Sequence, residues 1–166
     1  MASMMLVEAL LPEWDREMGL TRQFLARVPD GQFDWRPHVR SWTLGRLAAH
    51  LAAIPQWAVT TIDQPSCDHA ADGTTAGPAT QAGVLALFDA NAAAGRAILS
   101  GRTDAELLAP WTLLSGGREV VTMPKATVLR NFVLNHLTHH RGQLTVYLRL
   151  LDVPIPSMYG PSGDAA

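Results

Sequence analysis

Apolar residues along this chain recur mostly at three- and four-residue steps, the spacing of one helix face. Val7, Leu10, Leu11, Trp14, Met18, Thr21 and Leu25 predict a first helix from about Met4 to Arg27, with Pro12 inside it as a candidate kink. The period is lost from Val28 to Arg40, where Pro29, Asp30, Gly31 and Pro37 mark a loop. Ser41-Trp42-Thr43 then supplies helix-capping chemistry, and Leu44, Leu47, Leu51, Ile54 and Ala58 predict a second helix ending near Ile62. Pro55 should bend that helix, because it has no N–H for the Leu51 carbonyl and its ring crowds the same group. Asp63 to Ala79 is polar, contains Gly73, Gly77, Pro65 and Pro78, and reads as a long loop.

Thr80 caps a third helix whose inward face is Val84, Leu85, Phe88, Asn91, Ala92, Gly95, Ile98 and Leu99. Its alanines and Gly95 permit close approach of a neighbouring helix. Asn91 on that face is either a buried hydrogen-bonding residue or part of a polar pocket. Beyond Ser100-Gly101, Thr103-Asp104-Ala105-Glu106 has the form of a capping box and predicts one short helical turn. Trp111–Leu114 and Arg118–Thr122 flank a Gly116-Gly117 turn and predict a small hairpin. Pro124 opens the last helix, which runs to Leu151, and Pro154, Pro156, Gly160, Pro161 and Gly163 then give an extended, irregular tail. With no internal repeat, this order predicts an all-α single domain over 1–166, a four-helix bundle with a small β-hairpin before the last helix.

The candidate chemistry lies on that last helix. At about 100° per residue, Leu129, Val133, His136, His140, Leu144, Tyr147 and Leu151 share an arc of roughly 80°, with Leu137 and Leu148 at its borders. His136 and His140 sit in the middle of it, whereas His139 falls roughly 60° outside. Two imidazoles at i and i+4 can reach one point in space, the spacing by which a helix offers two ligands to a divalent metal. The alternative is a pair of core histidines satisfied by hydrogen bonds. His50, at the edge of the second helix's apolar stripe, is the candidate third ligand, and a lone histidine there also fits a structural role. His38 reads as an exposed loop residue, and Cys67 and His69 lie in a segment without a regular frame to hold a metal.

Composition narrows the classes. The 166 residues, 48% hydrophobic and 17% charged, make one ordinary domain with ample core. A net charge of −2 without any run of Lys or Arg leaves no electrostatic footprint for nucleic acid. The single cysteine, Cys67, excludes an intrachain disulfide and a thiolate zinc site, and fits a reducing cytoplasm. No uninterrupted apolar run reaches the roughly 18 residues of a membrane span. Glu8, Glu13 and Asp15 interrupt the N-terminal segment, which lacks the basic start of a signal peptide.

Four segments carry a resemblance: Ser41-Trp42-Thr43-Leu44-Gly45-Arg46-Leu47-Ala48-Ala49-His50, Gly116-Gly117-Arg118-Glu119-Val120, Asn135-His136-Leu137-Thr138-His139-His140-Arg141-Gly142-Gln143, and Tyr159-Gly160-Pro161-Ser162. Together they resemble the DinB-like (DinB/YfiT-like) family of small metal-binding bundles, which is unrelated to the DNA polymerase of the same label. The resemblance implies an up-down-down-up bundle, a homodimer, and a divalent metal held by His50, His136 and His140. It implies a small-molecule substrate and one of two mechanisms. One is a thiol-dependent S-transferase or isomerase using a low-molecular-weight thiol such as bacillithiol or mycothiol; the other is a hydrolase using metal-activated water. A non-catalytic bundle stapled by a structural metal is the competing class.

Three imidazoles with open positions match the ligand set of catalytic rather than structural zinc. Zinc or nickel is expected; manganese and iron also accept imidazole and water. Gln143, one turn past His140, could orient a ligand, a water or a substrate, or be an ordinary surface amide. Arg141 and His139 are expected to flank the site, to bind an anionic substrate group or a partner subunit. His139 could instead donate to backbone or carry protons.

Overall fold

The computed structural model describes residues 5–71 and 77–164; the expected helix start at Met4 and the loop's Gly73 lie outside them. The first helix, α1, spans Leu6–Leu25 and continues through Pro12, burying Val7, Leu10, Trp14, Met18 and Phe24 on one face. The second expected helix is two. α2 (Leu44–Ala53) starts at an N-cap where the Thr43 side chain accepts from the Arg46 N–H at 3.2 Å. It stops just before Pro55, which becomes the N-cap of α3 (Gln56–Asp63). A proline that cannot continue the hydrogen-bond ladder ends the helix here instead of only bending it.

The helix α4 (Gln81–Leu99) is capped by Thr80, whose hydroxyl accepts from the Gly83 N–H at 3.2 Å. It packs against α1, α2 and α3. A Cβ at Gly95 would run into the Trp14 indole, so glycine there lets α4 lie close to α1. The Asn91 amide donates to the Ala52 carbonyl at 2.9 Å, so Asn91 serves a carbonyl in the last turn of α2. By length and composition alone α4 could cross a membrane. Its two charged residues, however, pair with α1: Arg22 with Asp89 at 2.8 Å and Arg96 with Asp15 at 2.6 Å.

The short helix α5 (Asp104–Leu108) has the expected capping box: Thr103 accepts from the Glu106 N–H, and Glu106 accepts from the Thr103 N–H. The chain is mostly helical but not all-α. A three-stranded sheet of β1 (Ser66–Asp68), β2 (Pro110–Ser115) and β3 (Arg118–Pro124) corrects the expectation of a hairpin alone. β2 and β3 form the antiparallel hairpin around Gly116 and Gly117, both at positive φ. The strand β1 comes from the stretch read as loop and pairs in parallel with the free edge of β2, Cys67 opposite Leu113. The Asp68 carboxylate then accepts from the Gly116 and Gly117 N–H groups at 3.0 and 2.7 Å and holds the turn.

After Pro124 the last helical run has three parts: α6 (Lys125–Val128), a π-helical stretch Leu129–Asn135, and α7 (His136–Leu150). α7 packs on both α1 and α2. The main core joins Trp14, Phe24, Leu44, Leu47, Leu51, Phe88, Leu99, Leu129 and Leu144. Each such side chain, fully buried, contributes about 1.5–3 kcal/mol. A smaller cluster of Trp111, Leu113 and Val128, flanked by Trp57 and Phe132, seats the sheet on α3 and the π stretch.

Candidate metal centre

Three helix positions converge at one end of this core. His50 lies in the last turn of α2, His136 is the first residue of α7, and His140 is one turn further on. The His136 Nε2 is 2.8 Å from the His140 Nε2 and 3.3 Å from the His50 Nε2. One ring nitrogen of each residue lies within 4.8 Å of those of the other two, and no carboxylate or thiol joins the group among the described residues.

The outer nitrogens decide what the inner ones offer. The His140 Nδ1 lies 2.7 Å from the Gln143 Oε1. An amide oxygen only accepts, so Nδ1 carries the proton and Nε2 presents a lone pair. The His136 ring bonds the Phe132 carbonyl through its other nitrogen, with the same consequence. That carbonyl is free for the ring because the His136 N–H donates instead to the Val133 carbonyl, three residues back, at the end of the π stretch. Two lone pairs facing each other at 2.8 Å repel unless a cation lies between them.

A proton is a poor candidate for that cation. Burial, aided by His140, His136 and Arg46, pushes the His50 imidazole down to about 4. Burial also lowers His136, against the pull of the Phe132 carbonyl, and lowers His140, against the bond to Gln143. All three rings are therefore neutral at pH 7, the form that ligates metal. The donor set fits a divalent cation with three imidazole ligands and open positions.

Trp42, part of the capping segment before α2, forms a wall of the site. Its ring stacks on His140 at 5.6 Å and 16°, and meets His50 edge-on at 5.1 Å. The Arg46 guanidinium lies 4.3 Å over the same indole, and the Tyr147 hydroxyl donates to the Trp42 carbonyl at 3.1 Å. A pocket of about 420 Å³ opens beside His140, walled by Trp42, Leu47, Gln143, Val146 and Tyr147. The wider role of Trp42 has a faint sequence signal: a tryptophan directly before a cap, two turns ahead of a histidine on the same helix.

The other expected site residues separate. His139 is exposed and does not converge; its Nε2 accepts from the Gln143 amide at 3.1 Å, so it orients Gln143. His38 is exposed, and its Nδ1 accepts from the Arg40 N–H. Arg141 does not flank the site, and that expectation is corrected. Arg141 is fully buried on a different side of α7, against α1. Its Nη2 pairs with Glu17 at 2.6 Å and bonds the Tyr159 hydroxyl at 2.5 Å. Its Nη1 donates to the Glu17 carbonyl and to Thr21, and its Nε to the Met158 sulfur. The helical rotation explains this: Arg141 lies about 100° from His140, on the side of Leu137, Leu144 and Leu148.

A family model for the DinB family matches residues 1–165. The chain belongs to the DinB family. Among its DinB relatives and neighbours, the uncharacterized protein YrdA of Bacillus subtilis is 27% identical over 164 residues, 95% of this chain and 90% of that protein. A crystal structure of a DinB-like protein from Bacillus cereus superimposes with a TM-score of 0.73 at 25% identity, covering 92% of this chain and 97% of that one. The DinB-like protein YjoA from Bacillus subtilis gives a TM-score of 0.71 at 14% identity over 92% of this chain and 99% of that one, a likeness of fold alone.

Proposed function

We propose that this DinB-family chain holds a divalent cation, zinc or nickel before manganese or iron, on His50, His136 and His140, and uses it as a thiol-dependent S-transferase or isomerase. The observation that carries the reading is the trio of Nε2 atoms with no carboxylate beside them. When bound, the cation supplies Lewis acidity, which favours a thiolate over a thiol at neutral pH. Such a reaction needs no protein general base, which the described residues of the cluster do not offer. A hydrolase, by contrast, gains from a positioned base to take the water's proton, so it is the second reading.

The chain's own groups have separate tasks here. Gln143 fixes the His140 tautomer, the Phe132 carbonyl fixes that of His136, and Trp42 packs on two of the three rings and shields them from water. The same reading includes an up-down-down-up four-helix bundle, supported by α4 and α7 each packing on both α1 and α2. It also includes a homodimer in the cytoplasm, which light scattering of the purified chain would test.

Elemental analysis of purified protein tests the centre. About one equivalent of divalent metal is expected, lost on chelation while the fold persists. A chain that binds no metal would sink the reading, and one that unfolds on chelation would make the metal structural. With metal in place, turnover of electrophiles with added thiol, and none with water alone, separates the two catalytic readings.

A further inference from the structure

The pocket beside His140 has a chemistry of its own. Trp42, Leu47, Val146 and Tyr147 supply its apolar wall and Ser41, Gln143 and His140 its polar part, and no carboxylate lines it among the described residues. Arg40 lines it as well. Among the described residues Arg40 has no ion-pair partner, as is also the case for Arg16, Arg27, Arg36, Arg46 and Arg118, and of these Arg40 is the one that lines the pocket. Arg46, likewise without an acidic partner, lies over Trp42 on the adjoining turn. A pocket of this volume with an apolar wall, one unpaired guanidinium and no carboxylate among the described residues suits a small molecule of two parts.

We infer that the pocket binds a small organic anion with an apolar or aromatic body, the body between Trp42, Val146 and Tyr147 and the anionic group on Arg40. His140 lines the same pocket, so the inner end of such a ligand would be carried toward the three histidines. The assignment rests on the metal-centre reading for what then happens to the ligand. On this assignment anion recognition, expected of Arg141 and His139, belongs to a residue of the loop before α2. Arg141 has all its donors engaged inside the core.

The test uses three probes on the full chain, 3-phenylpropionate, the neutral 3-phenylpropan-1-ol, and propionate, titrated against tryptophan fluorescence with and without zinc. The phenyl acid should bind at least about tenfold more tightly than the alcohol, the scale of one charge-assisted hydrogen bond. It should also outbind propionate, which lacks the ring. Arg40→Gln and Val146→Glu, both at exposed positions, should each remove most of the acid's advantage, and zinc-free protein should keep it. Equal binding of acid and alcohol, or an acid preference untouched by both substitutions, overturns the inference. An acid preference that vanishes with the metal also overturns it and leaves the metal centre standing, since the anion would then be on the cation. A chain that takes up no zinc yet retains Arg40-dependent binding fails the metal reading and upholds this one.

Discussion

His140 and Arg141 are neighbours in sequence and sit on two sides of one helix, and the two sides are built differently. On the Arg141 side every N–H of the guanidinium has a partner: two groups of Glu17, Thr21, Tyr159 and Met158. Tyr159 in turn donates to the Glu17 carboxylate at 2.7 Å, so charge and hydrogen bonds close within the chain. On the His140 side the outer nitrogens of two rings are satisfied, and the inner ones face each other with lone pairs. A buried polar cluster that is complete holds structure together; one left incomplete in a single direction is a place for something else to bind.

The largest effect should come from opening the complete side. Arg141→Met leaves the Glu17 carboxylate buried without its cation and is expected to cost about 3–5 kcal/mol in urea unfolding. Adding Glu17→Leu to it should recover much of that loss, because an apolar pair needs no compensation. If Arg141→Met is neutral, the two faces do not differ in the way described. On the incomplete side the expectation is reversed. His136→Ala and His140→Ala should leave the metal-free fold nearly as stable while weakening zinc binding by at least roughly 100-fold in a competition titration, more than loss of an outer partner costs. His139→Ala should retain the metal; equal loss from all three substitutions would overturn the face assignment.

A smaller effect is expected one shell out. Gln143→Leu removes the acceptor that holds the His140 Nδ1–H, and zinc affinity should fall about 10- to 100-fold with the metal still binding at saturation. The smallest concerns pH. In metal-free protein the His50 pKa is lowered to about 4 from its ordinary value of 6.5. Between those values the unfolded chain takes a proton that the folded one refuses, so this group's share of stability is whole above about pH 6.5 and drains away on acidification toward about 4. Thermal midpoints recorded over that range should fall less steeply for His50→Gln than for the parent chain.

Much of this was legible in the sequence. The 3.6-residue period marked the helices, the Thr43, Thr80 and Thr103 caps marked their starts, and the spacing of His136 and His140 separated them from His139. All of these are local properties of a helix, readable from neighbours a turn away. What lay beyond a turn was not readable. The π stretch has no composition of its own, β1 becomes a strand only because β2 offers it an edge, and Arg141 is buried only because Glu17 and Tyr159 arrive from α1 and the tail. The chain by itself determined which residues could share a face; packing alone decided what each face would meet, because burial and pairing are set by partners far away in sequence.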